Sequence, residues 1–462
     1  MRNIFTLLIF LNISFVFSQE ISSILSLEEY LGYVKKYHPI VKQSQLITTD
    51  SEAKLLKARG AFDPKIEVDY NRKKFKETEY YDKLNTTFKI PTWYGIELKA
   101  NYENNDGVFL NPELNVPENG LYSAGFSIPL AKNLLTNKRM ATLKQAKFYK
   151  KLAQAKQQLV VNDILYEAIT VYFNWLKNYN AKLIYEDYLA NAKIRFENVK
   201  SSFIAGDKPA IDTLEANINY KNRILDLEKS KIGYIKSKLE LSNYLWLENN
   251  LPVELETSIK PDINTLTTID VVLSSSVLNT QSDFIKNHPK IQELNAKRDI
   301  LITDKRLKKN NLLPTINLEY NFLTTEYNTT NSLNTANYKS GLHINFPLFL
   351  RKERADLKLA KLKLKDTEYT ITATEVTLKN KIESLKNEIE SYNTQHTILQ
   401  ELVVNNKKLV TSEERKFILG EGSLFLVNYR EVKFIESQLK NIDTEYLLLK
   451  TKSNLLRTLG NL

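Results

Sequence analysis

ERADLKLAKLKLKDTEYTITATEVTLKNKIESLKNEIESYNTQHTILQELVVNNKKLVTSEERKFIL, the 67 residues from Glu353 to Leu419, contain neither Gly nor Pro and stop at Gly420. As one helix they would extend roughly 100 Å at about 1.5 Å per residue, longer than an ordinary globular domain can use. Leu357, Leu364, Ile371, Leu378, Leu385, Tyr392 and Leu399 recur every seven residues and form one seam of a coiled coil. The companion seam is poorer: Ile382, Ile389 and Val403 fit it, whereas Lys361, Glu368 and Glu375 do not. The stretch predicts a very long helix that is well packed over only part of its length.

A second such run lies between Pro129 and Gly206, and its span of 77 residues compares with 73 from Pro347 to Gly420. The duplication extends upstream. An offset of 250 carries Pro39 onto Pro289, Pro64 onto Pro314, Ile66 onto Ile316 and Tyr70 onto Tyr320. After each Pro64-type position comes strict alternation, Lys65-Ile66-Glu67-Val68-Asp69-Tyr70 and Thr315-Ile316-Asn317-Leu318-Glu319-Tyr320, which reads as a strand with one apolar face. A second strand answers each, through Tyr122, Ala124, Phe126 and Ile128 in one half and Leu342, Ile344 and Phe346 in the other. The first half holds further alternation at Leu84–Ile90 and Ile96–Tyr102, which either lengthens a hairpin or adds strands.

Each long helix turns back at a glycine, Phe203-Ile204-Ala205-Gly206-Asp207 and Phe417-Ile418-Leu419-Gly420-Glu421. The return helices begin near Pro209 and after Ser423, a predicted N-cap. The first steps by seven through Ile211, Ile218, Leu225, Ile232 and Leu239; the second has both seams, Val432, Leu439, Tyr446 and Ile435, Ile442, Leu449, Leu456. At the front of the chain, Ser26-Leu27-Glu28-Glu29 opens a short helix in capping-box style.

Composition narrows the class. Only 12 Gly and 12 Pro punctuate 462 residues, 26% are charged, and Tyr supplies 25 of the aromatics against 20 Phe and 3 Trp. With no Cys, thiol catalysis, Cys-ligated zinc and an N-terminal lipid anchor are excluded. Residues 1–18, with Arg2 before the apolar run Ile4 to Phe17, read as a secretory signal peptide, whose removal would lower the net charge from +11 to +10. No other segment approaches 18 consecutive apolar residues, so a route into a membrane must use strands. His38, His288, His343 and His396 show no metal-ligand spacing, and no phosphate-cradling Gly loop or isolated carboxylate pair is present. Lys and Arg are dispersed, which does not describe a nucleic-acid face.

The order and duplication of these features resemble the TolC family of outer-membrane efflux proteins. The resemblance is carried by Leu27-Glu28-Glu29 to His38-Pro39, Ile128-Pro129-Leu130 and Phe346-Pro347-Leu348 before the long helices, and the two glycine turns. Gly206 to Asp212-Thr213-Leu214-Glu215-Ala216 is close to the family pattern, and Gly420 to Leu426-Val427-Asn428 is looser. The resemblance implies an α+β chain whose duplicated strand hairpins form part of a trimeric outer-membrane β-barrel, twelve strands if each chain gives four. Its very long antiparallel coiled-coil helices form a periplasmic α-barrel. It implies a first repeat over residues 19–246, a linker over 247–284 and a second repeat over 285–462. It also implies a homotrimer, no enzymatic activity and no cofactor or metal. The channel would serve a tripartite efflux or type I secretion system through a periplasmic adaptor and an inner-membrane pump, with outer-membrane lipid around it and no nucleic acid. Drug, metal and protein cargoes stay open. Phe203, Ile204, Gly206, Asp207, Phe417, Ile418, Leu419, Gly420 and Glu421 are the expected adaptor-docking tip. The competing reading is a secreted, elongated coiled-coil adaptor or scaffold that conducts nothing, and the apolar strand faces argue against it.

Overall fold

The computed structural model describes residues 24–272, 284–327 and 334–462. The expected signal peptide, residues 273–283 of the linker and 328–333 of the Asn-rich loop lie outside the described residues.

The chain forms two compact units, each gathered from separated stretches. One comprises the described residues of 39–164, 277–387 and 455–462, and it contains the main sheet. Its strands are β2 (Lys65–Phe75), β3 (Thr78–Pro91), β4 (Glu97–Asp106), β5 (Leu121–Pro129), β7 (Thr315–Thr324) and β8 (Tyr338–Asn345). They follow the order β2-β3-β4-β5-β7-β8, antiparallel throughout. The two extra alternating segments of the first half therefore add strands: Leu84–Ile90 lies inside β3, and most of Ile96–Tyr102 inside β4. Among the described residues this sheet has six strands, not four.

Register explains the alternation. Ile66, Phe88, Ala100, Ala124, Phe322 and Tyr338 form one continuous row across all six strands, with Leu98, Phe126 and Tyr320 in a neighbouring row. One-residue steps put Lys65, Lys89, Lys99, Gly125, Asn321 and Lys339 on the opposite face. Cross-strand aromatic contacts, Tyr102–Tyr122 at 4.7 Å and Tyr320–Tyr338 at 5.4 Å between ring centres, bind the apolar face together. The tight β2–β3 connection places Lys76 and Glu77 at positive φ, as a two-residue hairpin turn requires.

Helix α2 (Pro39–Arg59) precedes β2, and the short α6 (Phe284–Asn287) and α7 (Pro289–Asn310) precede β7. Pro289 at the first helical position has no N–H to leave unsatisfied, and His288 caps the end by accepting from the Lys290 N–H at 3.0 Å. The other ring nitrogen of His288 lies 2.9 Å from the Thr458 carbonyl, so a neutral ring protonated there satisfies both contacts. Burial holds this imidazole below its ordinary pKa.

The second unit comprises the described residues of 1–38, 165–276 and 388–454. β1 (Ile24–Leu25) pairs in parallel with β6 (Lys260–Pro261), and α1 (Leu27–Tyr37) follows, capped by Ser26 accepting from the Glu29 N–H. Helix α5 (Thr265–Val272) comes after β6. The core packs Tyr30, Tyr172, Phe173 and Trp175, all fully buried. The Tyr172 hydroxyl donates to the Leu25 carbonyl at 2.8 Å and accepts from the Asp262 N–H at 3.2 Å, tying both strands of the small parallel β1–β6 ladder, at their C-terminal end, to the helix core. Burial pushes its phenol up to about 12, so it remains a neutral donor.

The long helices are α3 (Lys138–Ile204) and α8 (Arg351–Ile418), with returns α4 (Ala210–Ser242) and α9 (Leu424–Leu459). Leu364, Ile371 and Leu385 of the α8 seam are buried, while Lys361 and Glu368 of the weaker seam are exposed. The seven-step stripe of α4 finds no cover within the described residues. Ile211, Ile218, Leu225, Ile232 and Leu239 are all exposed.

Candidate docking tip and its buried charge cluster

Both helix-ending turns have the same construction. Gly206 (φ 86°) and Gly420 (φ 81°) occupy the left-handed region where glycine avoids the Cβ clash. The Asp207 N–H reaches back to the Ser202 carbonyl and the Gly206 N–H to that of Phe203; Glu421 to Lys416 and Gly420 to Phe417 repeat the pair. These are the two bonds of a Schellman motif, which use carbonyls that the helix end would otherwise orphan. Ser423 accepts from the Leu426 N–H at 3.3 Å at the start of α9.

Of the nine tip residues expected from sequence, eight are exposed: Phe203, Ile204, Gly206, Asp207, Ile418, Leu419, Gly420 and Glu421. Ile204 is 75% exposed and Ile418 82%. Phe417 departs from the expectation of exposure. It packs half-buried against Val199, Ala216 and Leu424, with the Lys208 ammonium 4.4 Å above its ring. It closes the turn's interior and joins the two hairpins. A cavity of about 490 Å³ opens between them, lined by Ser202 and Lys208 from the first and by Phe417 and Ile418 from the second.

Arg195 lines the same cavity and centres a polar cluster that the sequence did not reveal. Its guanidinium lies 2.7 Å from Glu431 and 2.8 Å from Glu414, so helices α3, α8 and α9 meet on one charge. Asn219 of α4 donates to the Asn428 side chain at 2.7 Å, and Asn428 donates to Glu215 at 3.1 Å. The Glu431 side chain is 1% exposed. Removing one partner from such a buried pair strands the other charge, at a cost of about 3–5 kcal/mol. Nearby, burial and the Glu431 charge hold the Tyr188 phenol far above its ordinary range, and it donates to Gln438 at 2.7 Å. A sequence signal for the cluster exists in retrospect. Leu424, Val427, Glu431 and Ile435 follow core spacing, as do Tyr188, Ala192, Arg195 and Val199, and each series contains one charge at a core position.

Among the described residues, no helix is long and apolar enough to cross a membrane. One face of the six-stranded sheet is apolar along its register rows.

The comparisons with known proteins agree with this geometry. Residues 281–461 match the outer membrane efflux protein family. No curated protein matches the sequence. Solved structures share the fold over nearly the whole chain. The outer membrane channel CmeC of Campylobacter jejuni superposes with a TM-score of 0.67 at 13% identity, covering 94% of this chain and 85% of its own. VceC of Vibrio cholerae gives 0.66 at 10% identity, covering 94% and 96%. The open state of MtrE from Neisseria gonorrhoeae gives 0.65 at 12% identity, covering 94% and 89%. Residues 281–461 thus carry the sequence pattern of the outer membrane efflux protein family, and the chain shares the fold of solved outer-membrane channels. The solved structures that share this fold are described as outer-membrane channels.

Proposed function

We propose that three copies of this chain close one β-barrel in the outer membrane and continue as a helical conduit through the periplasm. The observation that carries this reading is the six-stranded sheet, apolar on one face and polar on the other, whose edge strands β2 and β8 each lack a second neighbour among the described residues. An open strand edge in lipid leaves unpaired N–H and C=O groups, each costing several kcal/mol, so the edges require partners. Three copies supply eighteen strands, an even number suited to an outer-membrane barrel. The exposed heptad stripe of α4 supports the same assembly, because an apolar seven-step ridge suits a neighbouring helix.

In this reading the chain consists of a first repeat over 19–246, a linker over 247–284 and a second repeat over 285–462. It performs no catalysis. The two glycine turns receive the periplasmic adaptor of an inner-membrane pump, forming a tripartite efflux or type I secretion system. Exposed Ile204, Ile418 and Leu419 offer apolar contact there, and the cavity between the hairpins offers a seat.

Fractionation of cells and a mass measurement in detergent test the assembly together. A detergent-extracted species of three chains from the outer membrane is expected. A stable single chain, or one recovered in the periplasm without detergent, overturns the reading.

A further inference from the structure

We infer that the polar face of the sheet carries an anion-recruiting belt of lysines, which makes multivalent oxyanions a favoured class of solute. The inference rests on the three-chain reading above.

Its basis is register. Lys65 pairs with Lys89, Lys89 with Lys99, Lys99 with Gly125, Gly125 with Asn321 and Asn321 with Lys339, so four lysines occupy one level across the six strands. Gly125 is a necessary gap, because a Cβ there would run into the Tyr320 carbonyl and the Asn321 side chain. The neighbouring carboxylates compensate the belt only in part. Glu67 pairs with Lys89, Glu319 lies 2.7 Å from Lys99, and Glu97 is already held by Arg139 at 2.7 Å. Among the described residues Lys65 and Lys339 have no ion pair, and they lie on the two edge strands. Four lysines against Glu67 and Glu319 leave each chain an excess of two positive charges (4 − 2) at this level, and a closed trimer an excess of six.

Asp69 and Glu103 form a level of opposite sign, four residues further along their strands. At about 3.3 Å per residue that is roughly 13 Å away, beyond the screening length of about 10 Å at 0.1 M salt. The two levels act separately. A lysine ammonium is a compact charge on a flexible stem that reaches from the wall toward a passing phosphate or carboxylate, and a ring of them in a narrow wet passage concentrates anions.

Titration calorimetry with sodium tripolyphosphate, at 0.1 M salt on the detergent-extracted protein, tests the belt. Binding is expected for the wild type, and about tenfold weaker binding for Lys65→Gln/Lys339→Gln, since two of four belt charges per chain are gone. Lys379→Gln/Lys381→Gln on α8 removes equal charge elsewhere and should bind as wild type does. Trimers that bind equally in all three forms, or not at all, overturn the belt. A wild-type protein that is not trimeric in the accompanying mass measurement overturns the three-chain reading instead.

Discussion

Helices α4 and α9 are 33 and 36 residues long, and both follow a Schellman turn closed by a left-handed glycine. Both carry apolar residues at seven-residue steps, yet they treat them in opposite ways. α9 buries Leu424, Val427, Ile435, Leu448 and Leu449 against its own chain. α4 turns Ile211, Ile218, Leu225, Ile232 and Leu239 outward, none below 47% exposure. A heptad step thus announces that a helix has a partner and is silent on whose chain supplies it. The α9 face also admits Glu431 at a core position because Arg195 meets it there.

The sharpest way to break this contrast is at that charge. Arg195→Leu should destabilise the helical unit by about 3–5 kcal/mol, by leaving Glu431 buried and unpaired. Arg195→Met/Glu431→Leu should recover most of the loss, as followed by denaturant unfolding. If the single substitution costs nothing, the cluster is solvated and the α9 face is not a closed core.

The next effect separates the two helices directly. Leu449→Ala should cost about 3 kcal/mol from transfer and cavity formation while leaving the subunit count unchanged. Ile218→Asp/Ile232→Asp in α4 should keep helical content by circular dichroism and dissociate the assembly into single chains. Equal behaviour of the two sites in sedimentation would erase the distinction.

At the turns that precede both helices, a smaller effect on stability accompanies a large one on transport. Nothing lies within 4 Å of a Cβ built on Gly206 or Gly420, so Gly206→Leu or Gly420→Leu introduces backbone strain without a clash. About 1–2 kcal/mol is expected from the left-handed conformation. Trimer formation and membrane insertion should persist and export should stop, because the side chain obstructs adaptor docking. Normal export by both variants would remove the turns from the docking surface.

The smallest effect concerns the histidine that starts α7. The His288 imidazole is held below its ordinary value of 6.5 by burial. As pH falls below 6.5 the unfolded chain binds a proton that the folded chain resists, so stability is retained above that pH and declines below it. His288→Asn retains a capping acceptor, and its unfolding midpoint between pH 7 and pH 5 should fall less than that of the wild type.

The elements legible in the sequence are those whose signals are local. Glycine-free runs gave the long helices to within two residues at Arg351 and Ile418, and alternation after Pro64 and Pro314 gave β2 and β7. The repeat-matched Pro39 and Pro289 stand at the starts of α2 and α7. What was not legible depends on which surfaces meet. Phe417 had the same local context as Phe203, and only the approach of Val199 and Leu424 makes it a packing residue. Arg195 and Glu431 are separated by 236 residues, and each alone resembles one more charge on a charged helix. Pairing order decided the strand count, because alternation at Leu84–Ile90 fits either a hairpin extension or a new strand until β4 and β5 join in register.

The open edges β2 and β8 have a consequence for how the protein is made. A newly exported chain carries two unpaired strand edges together with the bare α4 ridge, and a pair of chains still carries one edge of each kind. In the proposed three-chain barrel, only the third arrival removes them all. Intermediates therefore remain adhesive to any other exposed strand, and assembly yield should depend steeply on the supply of fresh chains. If three chains assemble as proposed, slow export should favour mispairing and proteolysis, and delivery in bursts or shielding of each chain should raise the yield.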